Sequence, residues 1–161
     1  DVCNAWESAT QPARDAGIRV VNLRMGAVLG REGGALAKML TPFKLGVGGV
    51  IGHGQQYMSW ISLTDVVRAI VYALDTKALS GAVNAVAPDS VTNRVFTKTL
   101  GRVLGRPTVL PMPAFAARLA FGELADALLL SSIRVAPKRL TDSGFSFDHL
   151  ILEDALTSIL S

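Results

Sequence analysis

One cysteine, two histidines and few aromatics narrow the chemistry of this 161-residue chain before any motif is sought. Cys3 alone cannot close an internal disulfide, and without further cysteines it cannot build a thiolate zinc site. Inside a helix it reads as a small buried hydrophobe. A single thiol fits a reducing compartment, so a cytoplasmic location is expected. His53 and His149 stand far apart, neither at ligand spacing from another His, Cys or carboxylate, and no metal centre is expected. Aromatics make up 6% and the basic residues are scattered, so a net charge of +3 does not describe a nucleic-acid surface. No apolar run approaches the ~20 residues of a membrane span. Gly-x-Ser-x-Gly is missing, as are the P-loop lysine and a Gly-x-Gly-x-x-Gly between strand and helix. The glycine-rich "GVGGVIGHG" and "GREGG" therefore read as flexible or tightly turned substrate-side loops rather than phosphate cradles.

With half its residues hydrophobic and 18% charged, the chain is globular and long enough for a real core. "DVCNAWESATQPARDAG" carries Val2, Ala5, Trp6, Ala9 and Ala13 at helical spacing and stops at Gly17. Because the first residues already read as the inside of a helix, the chain is expected to be a fragment. A β-branched strand over 18–24 follows, then a loop, a helix interrupted by Pro42 and a glycine-rich extended segment. "YMSWISL" is the next extended piece, and "TDVVRAIVYALDT" is a helix capped by Thr64, with Asp65 in its first turn. Val66, Ala69, Ile70, Ala73 and Leu74 form its apolar stripe. "GAVNAVAP" is a second buried strand. "SVTNRVFTKTLGRVLGRP" is a helix with Phe96, Leu100 and Leu104 in step, and a mostly helical tail completes the chain.

This order is α/β. Two strands are too few for a self-standing parallel sheet, so the chain reads as the C-terminal portion of a doubly wound Rossmann-type sheet. A mostly helical tail follows. Arg24 closes a strand at its carboxyl end, where ligands gather in such sheets. It has two readings, a ligand contact or a structural ion pair. Trp60 is either core or a platform for a substrate ring. Glu123 and Asp126, three apart on an expected helix, read as a solvated face before an acid–base pair.

Taken in order, "CNAWESA", "VVNLRMGAVLGREGGALAKML", "FKLGVGGVIGHGQQYMSWISLTDVVRAI", "SGAVNAVAP" and "VTNRVFTKTLGRVLGRP" resemble one family. It is the atypical epimerase-like branch of the extended short-chain dehydrogenase/reductases, described as nucleoside-diphosphate-sugar epimerases. The tail "PAFAARLAFGELADALLLSSIRVAPKRLTDSGFSF" resembles the small C-terminal domain of that branch, which implies a division into 1–106 and a small, mostly helical capping domain over 107–161. The resemblance implies a parent with a nucleotide-binding first half, which binds NADP or NAD and moves a hydride to or from an unknown small-molecule substrate, a sugar nucleotide being one candidate.

On this resemblance Arg24, Met25 and Gly26 lie near the cofactor, Gln56 and Trp60 face the substrate, and Asp65 holds a junction between lobes. Aligned on Glu7, Cys3 stands where extended members carry the lysine of Tyr-x-x-x-Lys, and the tyrosine position precedes residue 1. An alternative follows from that departure: a dinucleotide-binding sensor or structural protein without catalysis. A self-contained interaction module is the plainest third reading. The expected partners are the substrate and the missing N-terminal half of the same fold, with no nucleic acid and no membrane. Without that half, self-association is expected.

Overall fold

The computed structural model describes residues 2–122 and 131–161. The expected first helix is broken into α1 (Val2–Ser8) and α2 (Gln11–Asp15), where Pro12 enters the first turn of the second piece. Gly17, at φ +76°, makes the turn into β1 (Val21–Met25). β1 pairs in parallel with β5 (Gly81–Ala85), in register from Val21–Gly81 to Met25–Ala85. At Gly26 the chain changes partner. Gly26 N–H still donates to Ala85, but Ala27 N–H donates to Ser59, and β2 (Ala27–Leu29) pairs in parallel with β4 (Trp60–Ser62). Ala87 N–H donates to Trp60, which ties the continuation of β5 to the other side of β4.

α3 (Gly34–Lys44) lies between β2 and the glycine-rich segment. It continues through Pro42 instead of stopping there, because a proline in the last turn removes one hydrogen bond without a turn beyond it to disrupt. β3 (Tyr57–Met58) pairs antiparallel with β6 (Val91–Thr92), so the single extended piece expected over "YMSWISL" is two strands serving different partners. α4 (Leu63–Asp75) starts two residues earlier than expected. Its cap is Ser62, whose Oγ accepts from Asp65 N–H at 3.1 Å, and not Thr64. α5 (Asn93–Val103) is capped by Thr92; α6 (Ala114–Phe121), α7 (Lys138–Asp142) and α8 (Leu152–Leu160) complete the order.

Successive residues of β4 face opposite ways, and the core divides accordingly. Trp60 joins Leu29, Leu36, Phe96, Leu100 and Leu156 on one side. Ile61 joins Ala69, Val83, Leu140 and Phe145 on the other. The residues after 131 thus reach both faces. The stripe expected on α4 is only partly inward: Val66, Ala69 and Ala73 are buried, whereas Ile70 and Leu74 are exposed. With Leu63, Val67 and Val71 they form a second apolar row on the outer face. β1 is also less covered than a strand packed on both faces, since Arg24 and Met25 at its carboxyl end are open. No helix among the described residues is long and apolar enough to cross a membrane.

Candidate functional site

The carboxyl end of β1 brings Arg24, Met25 and Gly26 to the point where the strand changes partner. Arg24 sits on the face toward α1 and makes a two-pronged contact with Glu7. Nε donates to Oε1 at 2.6 Å and a terminal nitrogen donates to Oε2 at 2.8 Å. The hydrogen bond from Arg24 holds the Glu7 carboxyl below its usual range, and the same bond raises Arg24. The pairing is therefore complete above the ordinary carboxylate range and fades as pH falls through the lowered Glu7 value. Both side chains stay solvent-accessible, 56% and 28% exposed, so the guanidinium is paired yet reachable by a ligand. Of the two readings of Arg24, the ion pair is present and the ligand contact stays open.

Two cavities flank this end. An open groove of about 700 Å³ runs between α1 and β1, lined by Cys3, Trp6, Glu7, Asn22, Arg24 and Met25. Cys3 is exposed there rather than buried, because α1 buries none of its residues. Asn22 contributes a buried Nδ2 with no hydrogen-bond partner among the described residues. A second cavity of about 330 Å³ lies on the other side of Met25 and Gly26, bounded by β3, Asn84, Val86 and the segment 131–136.

That segment is strapped down by serines. Tyr57 N–H donates to Ser132 Oγ at 3.1 Å, and Ile133 N–H to the Tyr57 carbonyl at 2.9 Å. Ser59 Oγ donates to the Ile133 carbonyl and accepts from Val135 N–H, both at 2.9 Å. Ser90 Oγ donates to the Val135 carbonyl at 3.0 Å, and Asn84 Nδ2 to that of Ala136 at 3.3 Å. Arg134 lies over the Tyr57 ring, 4.8 Å from its centroid.

The two residues expected to face the substrate are core residues instead. Trp60 is 0% exposed and its Nε1 donates to the Asp89 carbonyl at 2.6 Å. Gln56 is 4% exposed and its Nε2 donates to the Ile51 carbonyl at 3.0 Å. β4 is covered on both faces, so its tryptophan finds protein on every side. His53 is exposed, its Nδ1 accepting from Gln55 N–H at 3.0 Å. Glu123 and Asp126 lie outside the described residues.

Asp65, fully buried, is a structural hub. Its carboxylate accepts from Ser62 Oγ at 3.0 Å, Arg68 at 3.2 Å, Asp148 N–H at 2.8 Å and His149 N–H at 3.1 Å. Arg68 also pairs with the Asp148 carboxylate, and His149 Nδ1 lies 3.1 Å from Ser62 Oγ. The junction expected of Asp65 is therefore a tie between the start of α4 and residues 148–149. Sequence reasoning missed Glu7 as the partner of Arg24, and it missed Asn22, Ser59 and Asn84. A polar residue inside an apolar strand, as Asn22 and Asn84 are, is the one signal that could have found two of them.

The profile of the NAD dependent epimerase/dehydratase family matches residues 4–86, and that of a domain of unknown function (DUF1731) matches 112–159. An epimerase family protein of Mycobacterium leprae is 47% identical over 156 residues, 97% of this chain and 51% of the relative. The crystal structure of a human epimerase family protein, SDR39U1 isoform 2 with NADPH, superposes at a TM-score of 0.82. It is 39% identical, over 88% of this chain and 48% of that one. The nucleoside-diphosphate sugar epimerase from Corynebacterium glutamicum superposes at 0.78, with 34% identity over 99% of this chain and 30% of that one. The chain spans about half the length of the curated relatives it matches.

Proposed function

The chain belongs to the NAD dependent epimerase/dehydratase family, and from that premise we propose that it forms the second half of an NAD(P)-dependent epimerase- or dehydrogenase-like protein acting on a small molecule. The observation that carries the reading is the gathering of Arg24, Met25 and Gly26 at the carboxyl end of a parallel strand pair, between two cavities. In open α/β sheets that end is where ligands bind. The human relative was crystallised with NADPH, which supports the same class of cofactor here.

The groove fits one end of such a cofactor. Its wall offers a reachable guanidinium, a half-exposed Met25 side chain and the Asn22 Nδ2, which has no partner among the described residues. Arg24 would hold a phosphate or ribose oxygen, Met25 would pack against a ring, and Gly26 would let the backbone come close. When bound, a nicotinamide dinucleotide supplies a donor or acceptor of hydride. Gln56 and Trp60 stand behind the wall, bonded to the Ile51 and Asp89 carbonyls and away from the ligand. The substrate would lie beneath the segment 131–136. A second reading, a dinucleotide sensor without turnover, draws on the exposed Cys3 at the groove, where the resemblance places the family's lysine. Hydride transfer by the full-length protein, screened over sugar nucleotides and other carbonyl compounds, separates the two.

Arg24→Ala in the full-length protein is expected to weaken NADPH binding by about tenfold or more, through loss of a charge-assisted contact. The melting temperature should hardly move, because the pair with Glu7 is exposed. Calorimetric titration beside a thermal melt checks both; an unchanged dissociation constant with a lowered melting temperature overturns the assignment.

The 161-residue chain alone is expected to bind dinucleotide weakly and to self-associate. The outer apolar row of Leu63, Val67, Ile70, Val71 and Leu74 is open to water, as is Trp6, and contiguous apolar surface of this kind seldom stays free. Light scattering on the purified chain is the measurement. A stable monomer at high concentration, melting cooperatively, favours the self-contained module.

A further inference from the structure

We propose that the 330 Å³ cavity beside Gly26 receives a compact, uncharged carbonyl compound carried on an apolar ring, and turns away nucleoside-diphosphate sugars. The inference rests on the NAD(P) reading and names the substrate class for that site. Met25, Met58, Val86, Ile133 and Val135 supply the larger apolar side chains of the wall. Its polar groups are largely committed. The Ser59 hydroxyl both donates to and accepts from the strap. Asn84 spends an amide hydrogen on Ala136. Arg24 is the one cation among the described lining residues, and on the NAD(P) reading the cofactor takes it.

A substrate diphosphate entering here beside the bound cofactor would bring charge into apolar surroundings, with no second cation among the described lining residues to meet it. Arg134 lies on the same strap but stacks on Tyr57 and is not part of the lining. A neutral ring gains from the methionines and branched side chains, and its carbonyl needs only one neutral hydrogen-bonding neighbour, a role open to Asn84 or Tyr57. The size is that of a small-ligand pocket.

The test uses the full-length protein and two probes, 1-tetralone and UDP-glucose, titrated calorimetrically with and without NADPH. Tetralone should bind, and Ile133→Trp should weaken it at least tenfold by placing an indole in the cavity. Ile133 is half exposed on the strap, so the substitution leaves the core intact. Ile133→Ala, which only enlarges the space, should retain binding within a few-fold. UDP-glucose should give no saturable heat at millimolar concentration. UDP-glucose binding that Ile133→Trp abolishes overturns the proposal. So does absence of tetralone binding, or tetralone binding indifferent to Ile133→Trp. NADPH titrated separately tests the cofactor reading: its failure to bind, with tetralone binding and its loss in Ile133→Trp intact, overturns that reading and leaves the cavity assignment standing.

Discussion

Asp65→Ala is expected to remove about 3–5 kcal/mol of folding stability, the range seen when one partner is deleted from a buried polar network. The carboxylate is wholly buried and gathers four donors from three parts of the chain. Deleting it leaves the N–H groups of Asp148 and His149 without their acceptor and takes one partner from the Ser62 hydroxyl. It also loosens residues 148–149 from α4, leaving Arg68 with the Asp148 carboxylate and the Phe145 ring. Asp65→Asn preserves the shape and one acceptor oxygen, so it should cost clearly less. Urea melts of the full-length protein and both variants provide the comparison. A loss below about 1 kcal/mol for the alanine variant would show that water replaces the carboxylate, contrary to its complete burial.

The contrast between Asp65 and Arg24 shows what the sequence could and could not convey. Asp65 follows a short strand at the start of a helix, and its local role was legible from position alone. Its long-range role was not, because residues 148 and 149 lie more than eighty positions away and carry no mark of it. Arg24 was placed correctly at a strand end, but the rival readings of ligand and ion pair could not be separated. Glu7 is an ordinary helix residue until the fold brings it within 2.6 Å.

Element order was readable because hydrophobic period and glycine turns are local. Errors arose where tertiary packing decided the outcome. The apolar residues of α4 divide into an inner row and an outer row, and periodicity cannot say which of two apolar rows faces inward. Trp60 was ambiguous for a related reason. A strand buried on both faces gives no alternation from which to tell a ligand-facing ring from a core ring. The strap over 131–136 was invisible because serine hydroxyls at Ser59, Ser90 and Ser132 look like any others until a backbone lies against them.

Gly26→Ala should cost about 2–3 kcal/mol, for reasons of space and not of backbone angle. A Cβ added there would sit 2.5 Å from the Ser59 carbonyl oxygen and 2.9 Å from Val86 Cγ1. The Ser59 carbonyl cannot retreat cheaply, since it accepts from Ala27 N–H at 2.8 Å in the bond that begins the β2–β4 pairing. Relief requires β4 and the β5 continuation to move apart, at the place where the sheet exchanges partners and both cavities begin. Gly30→Ala is the control. Its Cβ would meet only Leu63 side-chain atoms at 3.6 Å and beyond, so its stability should stay within about 0.5 kcal/mol or rise slightly through a less flexible unfolded chain. Denaturant melts of the full-length protein compare the two, with NADPH titrated into each folded variant. If Gly26→Ala is as stable as Gly30→Ala yet binds NADPH poorly, the glycine serves ligand approach and the packing argument fails. If it is destabilised while affinity per folded molecule holds, Gly26 is there to let three strands meet, and the cofactor contact at this end falls to Arg24 and Met25.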